Sequence, residues 1–85
     1  MFLTNISFIC FYMQKANRKI VEFIKNKWVI PTDNNNLFAR NHGIDEKTVR
    51  RIREDDSYQI ALVTIMRICE GENLKLHEFF KMVGI

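Results

Sequence analysis

The stretch Asn35-Asn36-Leu37-Phe38-Ala39-Arg40-Asn41-His42-Gly43-Ile44-Asp45-Glu46-Lys47-Thr48-Val49-Arg50-Arg51-Ile52-Arg53-Glu54 decides how this chain is read. It holds two short helical patterns separated by a glycine. Asn34, Asn35 and Asn36 offer caps for the first helix, which runs to about His42. Asp45 caps the second, where Val49 and Ile52 fall one turn apart. Two helices that cross closely through a tight turn need a small residue where they touch. Four positions later they need a residue that tolerates a left-handed backbone. Ala39 and Gly43 meet those needs. Phe38 then anchors the first helix, and Ile44, Val49 and Ile52 anchor the second.

Upstream, Lys15–Trp28 carries Ile20, Phe23, Ile24 and Trp28 at helical spacing, with Asn17 as a candidate cap. Pro31, Thr32 and Asp33 end that helix and begin a turn. Downstream, Ser57–Gln59 reads as a connection. Ile60–Glu70 carries Leu62, Ile65, Ile68 and Cys69 on one face and ends at Gly71. Lys75–Val83 carries Leu76, Phe79, Phe80 and Val83. The expected fold is all-α, five short helices over residues 14–85. Phe23, Trp28, Phe79 and Phe80 are expected as core or dimer contacts.

Residues 1–13 (MFLTNISFICFYM) are apolar and uncharged. The segment is shorter than the roughly 20 apolar residues that span a bilayer. It also lacks the basic start and small-residue cleavage site of a signal peptide. It reads either as a strand-like arm packing on the domain or across a dimer, or as sequence upstream of a natural start at Met13. The second reading is slightly favoured.

The chain has 85 residues, 47% of them apolar, with one proline and three glycines, which argues for a single helical domain and against disorder. Cys10 and Cys69 are far apart and in no metal-ligand spacing, so a reducing cytoplasm and no structural metal are expected. Cys69 is expected as a small core residue. His42 and His77 have no carboxylate or cysteine at ligand spacing and read as turn or surface residues. No nucleophile–base pair, carboxylate pair or phosphate-cradling glycine loop points to an enzyme, and no cofactor is implied. The net charge of +3 is unevenly spread. Residues 14–53 hold ten Lys/Arg against four Asp/Glu, whereas residues 54–85 hold three against six. A basic front and an acidic rear can present one face to a polyanion.

The stretch from Asn35 to Glu54 resembles the helix-turn-helix family of phage repressors and Cro-like regulators. Ala39, Gly43, Ile44, Val49 and Ile52 stand where that family's pattern wants them. Tyr58 through Leu62, then Ile65, Ile68, Cys69, Leu74, Leu76, Phe79 and Phe80, are similar to its fourth and fifth helices. The likeness covers about Lys15 to Ile85. It implies a compact five-helix repressor-like DNA-binding domain, acting as a small transcriptional regulator that binds double-stranded operator DNA as a homodimer. Two departures stand out. The connection from Trp28 to Asn34 is longer than the family usually allows. Position 53, commonly Glu there and paired to a basic residue of the first helix, is Arg53, which suggests a reversed pair with Glu22.

With Val49 and Ile52 facing the core, Lys47, Arg50, Arg51 and Glu54 centre on the opposite side of the helix, with Glu46 and Thr48 on the flanks. Three cations on that side suit a major groove, where Arg reads guanine bidentately. The resemblance implies Glu46, Lys47 and Arg51 for base edges, and Arg50 and Thr48 for phosphate or flanking contacts. Asn35 and Asn36 are candidates to donate amides and helix N-terminal N–H groups to a phosphate. The plainer reading makes the arginines a solvated face laced by i,i+4 pairs with Glu46, Glu54 and Asp55. The competing function is a protein-interaction module, such as an antitoxin or accessory subunit, that binds through its hydrophobic termini. No membrane partner or small-molecule ligand is evident.

Overall fold

The computed structural model describes residues 14–85. The arm at 1–13, with Cys10 and the alternative start at Met13, lies outside the described residues. Among those described, all regular structure is helical, in five helices. Helix α1 is under way at residue 14, passes through a π-helical turn at Lys25–Val29 and closes with Ile30–Thr32. α2 spans Asn35–His42, α3 Glu46–Glu54, α4 Leu62–Gly71 and α5 Leu76–Val83. None of them is long and apolar enough to cross a membrane.

α1 runs past Pro31, where the sequence predicts a stop. Proline has no N–H to give, and its ring presses on the carbonyl four residues back. The helix widens just before it: the Ile30 N–H donates to the Lys25 carbonyl, five residues away. The wider turn also resets the inward face. Val29, five residues after Ile24, is fully buried beside Val21 and Ile24, while Trp28 packs at the edge. Asp33 then takes a left-handed conformation at φ 52° and ends the helix. The long connection to α2 expected from the sequence is therefore only Asp33 and Asn34.

Asn17 caps nothing. It lies inside α1, where its Nδ2 donates to the Ile60 carbonyl and its Oδ1 accepts the Ile60 N–H, both at 2.9 Å. That clasp takes both backbone groups of Ile60, so α4 begins at Leu62 rather than at residue 60. The Arg18 guanidinium adds a bond to the Asp56 carbonyl at 2.5 Å, which fastens the 55–61 connection along α1.

α2 opens on Asn34, whose Oδ1 accepts the Leu37 N–H at 3.0 Å. It closes on Gly43 at φ 65°, with the Ile44 N–H reaching back to the Ala39 carbonyl at 3.0 Å. Asp45 occupies the cap position of α3, but its side chain makes no capping bond. The first turn is closed by the Thr48 and Val49 N–H groups on the Asp45 carbonyl. α4 ends on Gly71, and the left-handed residue that follows is Asn73 at φ 58°.

The core gathers the inner faces of all five helices: Ile24 and Val29 from α1, Phe38 from α2, Val49 and Ile52 from α3, Ile68 and Cys69 from α4, and Phe79 from α5. Burial raises the Cys69 thiol above its ordinary value and keeps it protonated, in line with its expected packing role. Phe79 stacks on Trp28 at 5.9 Å and meets Phe23 edge-on at 5.6 Å, joining α5 to the π turn.

Gly43 and Gly71 are constrained in opposite ways. A Cβ on Gly43 meets nothing within 4 Å, so Gly43→Ala incurs only the left-handed backbone penalty, about 1 kcal/mol. A Cβ on Gly71 would collide with Cδ2 of His42. Gly71→Ala should therefore cost about 2–3 kcal/mol by overpacking. Urea unfolding of the two variants beside the parent checks this, and equal losses would contradict it.

Candidate nucleic-acid interface

α3 is amphipathic from end to end. Val49 and Ile52 are buried at 0% and 1% exposure and pin it to the core. Lys47, Arg50, Arg51 and Glu54 are exposed on the far side, while Glu46 and Thr48 are half-buried at the flanks. The tight Gly43 turn and the packing of α2 against α3 hold this side out to solvent. Lys47, Arg50 and Arg51 border a shallow open depression with Glu54 and Asp55.

The pairing that would neutralise the arginines is sparse. Arg50 reaches Glu46 at 3.3 Å, with half of its side chain in solvent. At that exposure such a pair is worth about 0.3–0.5 kcal/mol and opens readily to a competing anion. Among the described residues Lys47 and Arg51 have no hydrogen-bonded or ion-paired partner. Asp55 marks the edge of the basic side. Its carboxyl is held below the ordinary carboxylate value, first by the Ser57 hydroxyl and then by the Ser57 backbone N–H. An anion there discourages polyanion contact beyond the end of α3.

Arg53 does not pair with Glu22, which is taken by Arg18 at 2.6 Å. Instead Arg53 Nη2 donates to the Val29 carbonyl at 3.0 Å and Nε donates to Asn35 Oδ1 at 3.0 Å. A cation on the last carbonyls of α1 suits that end of its dipole. The same bonds lock α3 to the end of α1 and the start of α2. Asn35 is thus half-buried with its oxygen occupied, which leaves its amide N–H groups to donate outward, whereas Asn36 is exposed. The bond from Arg67 Nη1 to the Gly43 carbonyl, 2.8 Å long, also braces the turn. No local pattern in the sequence signals it.

His42 is neither a turn nor a surface residue. It is buried in the interior, between Phe38 and Gly71, and hydrogen-bonded through both ring nitrogens. His77 is exposed. Among the described residues no group of three or more His, Cys, Asp or Glu could hold a metal ion. Comparison with protein-family models, curated proteins and solved structures finds no match for this chain.

Proposed function

We propose that the chain binds double-stranded DNA sequence-selectively, with α3 as the reader helix, and acts as a small transcriptional regulator of the repressor kind. The observation that carries this reading is the exposed side of α3. There, among the described residues, Lys47 and Arg51 have no hydrogen-bonded or ion-paired partner and Arg50 is weakly paired, on a helix anchored by Val49 and Ile52 behind a left-handed glycine turn. A helix of this kind fits a major groove. Arg51, Lys47 and Glu46 face base edges, while Arg50, Thr48, Asn35 and Asn36 hold phosphates. Nine residues of helix cover about 13 Å, or some four base pairs, so useful selectivity calls for two copies on one site. The reading places the protein in the reducing cytoplasm that its sparse cysteines suggest.

Leu62, Val63 and Met66 stand more than or about half exposed on the outer side of α4 and favour a second reading, docking to another protein. Selection of bound sites from random duplexes separates the two. The parent should enrich a defined sequence. Arg51→Ala should flatten preference at one base pair, at about 1–3 kcal/mol, whereas Arg50→Ala should weaken all sites alike. Both side chains are exposed, so stability should change by only about ±0.5 kcal/mol. No enrichment by the parent would refute DNA reading, and full preference retained by Arg51→Ala would refute this register.

A further inference from the structure

His42 is the one polar residue placed in the buried interior among the described residues, and its ring is held by stacking and through both nitrogens. Phe38, one turn earlier, stacks on it at 4.0 Å. Gly71 leaves just enough room for its edge. Nδ1 lies 2.8 Å from the Phe38 carbonyl oxygen, and Nε2 lies 2.5 Å from Oε2 of Glu72. Both partners are acceptors. A neutral imidazole carries one N–H, so it can donate to only one of them and turns a lone pair toward the other. The imidazolium donates to both.

Carbonyl-rich helix ends also face the ring. His42 is the last residue of α2 and Gly71 the last of α4, so two helix C-termini, each with partial negative charge, converge there. The charged side chains lining the adjoining cleft are Arg67 and Glu70, both from α4; α3 contributes none. Arg67 is already engaged with the Gly43 carbonyl. Glu72, the direct partner, keeps about a quarter of its side chain in water and can swing out when the contact loses its charge.

We propose that His42 and Glu72 form a proton-operated latch that ties the C-terminal end of α2 to the turn between α4 and α5. The latch is closed by an imidazolium–carboxylate bond and loosened when the ring gives up its proton. It stands independently of DNA binding, since what it holds is the fold around Gly43.

The test is urea unfolding of the full chain and of Glu72→Gln at about pH 5.5 and about pH 8.5, either side of the usual imidazole range. At the lower pH the substitution should raise the unfolding constant by roughly tenfold, the worth of one charge-assisted bond. At the higher pH the neutral ring has no charge to lose, and the increase should shrink to about threefold or less. An equal ratio at both pH values overturns the proposal. His77→Gln serves as the control: both ratios should survive in that background. If they collapse, the pH dependence belongs to the exposed histidine and the latch does not exist. The readout is folding, so either result leaves the DNA reading where it stands.

Discussion

Phe79→Ala should destabilise the protein by about 3–5 kcal/mol, the usual cost of emptying a buried phenylalanine site. Phe79 is fully buried and touches three rings: Trp28 by stacking, Phe23 by an edge, and Phe80 beside it. Its removal forfeits the transfer energy of the ring and leaves a hole walled by α1 and α5. The π turn prevents easy collapse, because Val29 is already packed inward and Arg53 holds its carbonyl. A domain of this length has a total stability of roughly 4–13 kcal/mol, so the loss approaches the whole. The single tryptophan stacks on Phe79, and urea unfolding followed by Trp28 fluorescence measures the change directly. Phe80→Ala, at a half-buried ring, should cost clearly less. A shift below about 1 kcal/mol for Phe79→Ala would mean that α5 is not an integral part of the core.

The parts of this fold that could be read from the sequence are those whose causes are local. Asn34 caps α2 through its own third neighbour, and Gly43 takes the left-handed turn because no side chain hinders it. The exposure of Lys47, Arg50 and Arg51 follows from helical period once Val49 and Ile52 face inward. Several of the misreadings share one feature: the residue's partner lies far along the chain. Asn17 has the chemistry of a cap, but its amide is used by Ile60, 43 residues away. Pro31 reads as a stop, yet a π turn admits it and Arg53 braces the end of the helix from 24 residues on. His42 looks like a turn residue until Gly71 and Glu72 close over it. Local propensity is silent about such contacts, because each needs the fold to exist first.

Duplex affinity should fall by on the order of 10³ between about 50 and 200 mM salt, as the counterions displaced at each phosphate are released less favourably. The cations available for this are those on the exposed side of α3, with the amide donors at the start of α2 beside them. If Lys47, Arg50 and Arg51 of each protomer each displace one counterion, a pair displaces about six, and log K should fall against log salt with a slope near −5 at ~0.9 per contact. A single protomer would give roughly half that slope, so the same titration reads the stoichiometry of docking. Arg50→Ala should lower the slope by about one unit per protomer, because the Arg50–Glu46 pair is too exposed to hold the guanidinium back from a phosphate. Arg53→Ala should behave differently. Its guanidinium is spent on Val29 and Asn35, so its loss should loosen the fold without removing a phosphate contact from the slope. An affinity indifferent to salt would mean that the basic side of α3 meets no polyanion. The exposed apolar residues of α4 would then be the surface through which the protein acts.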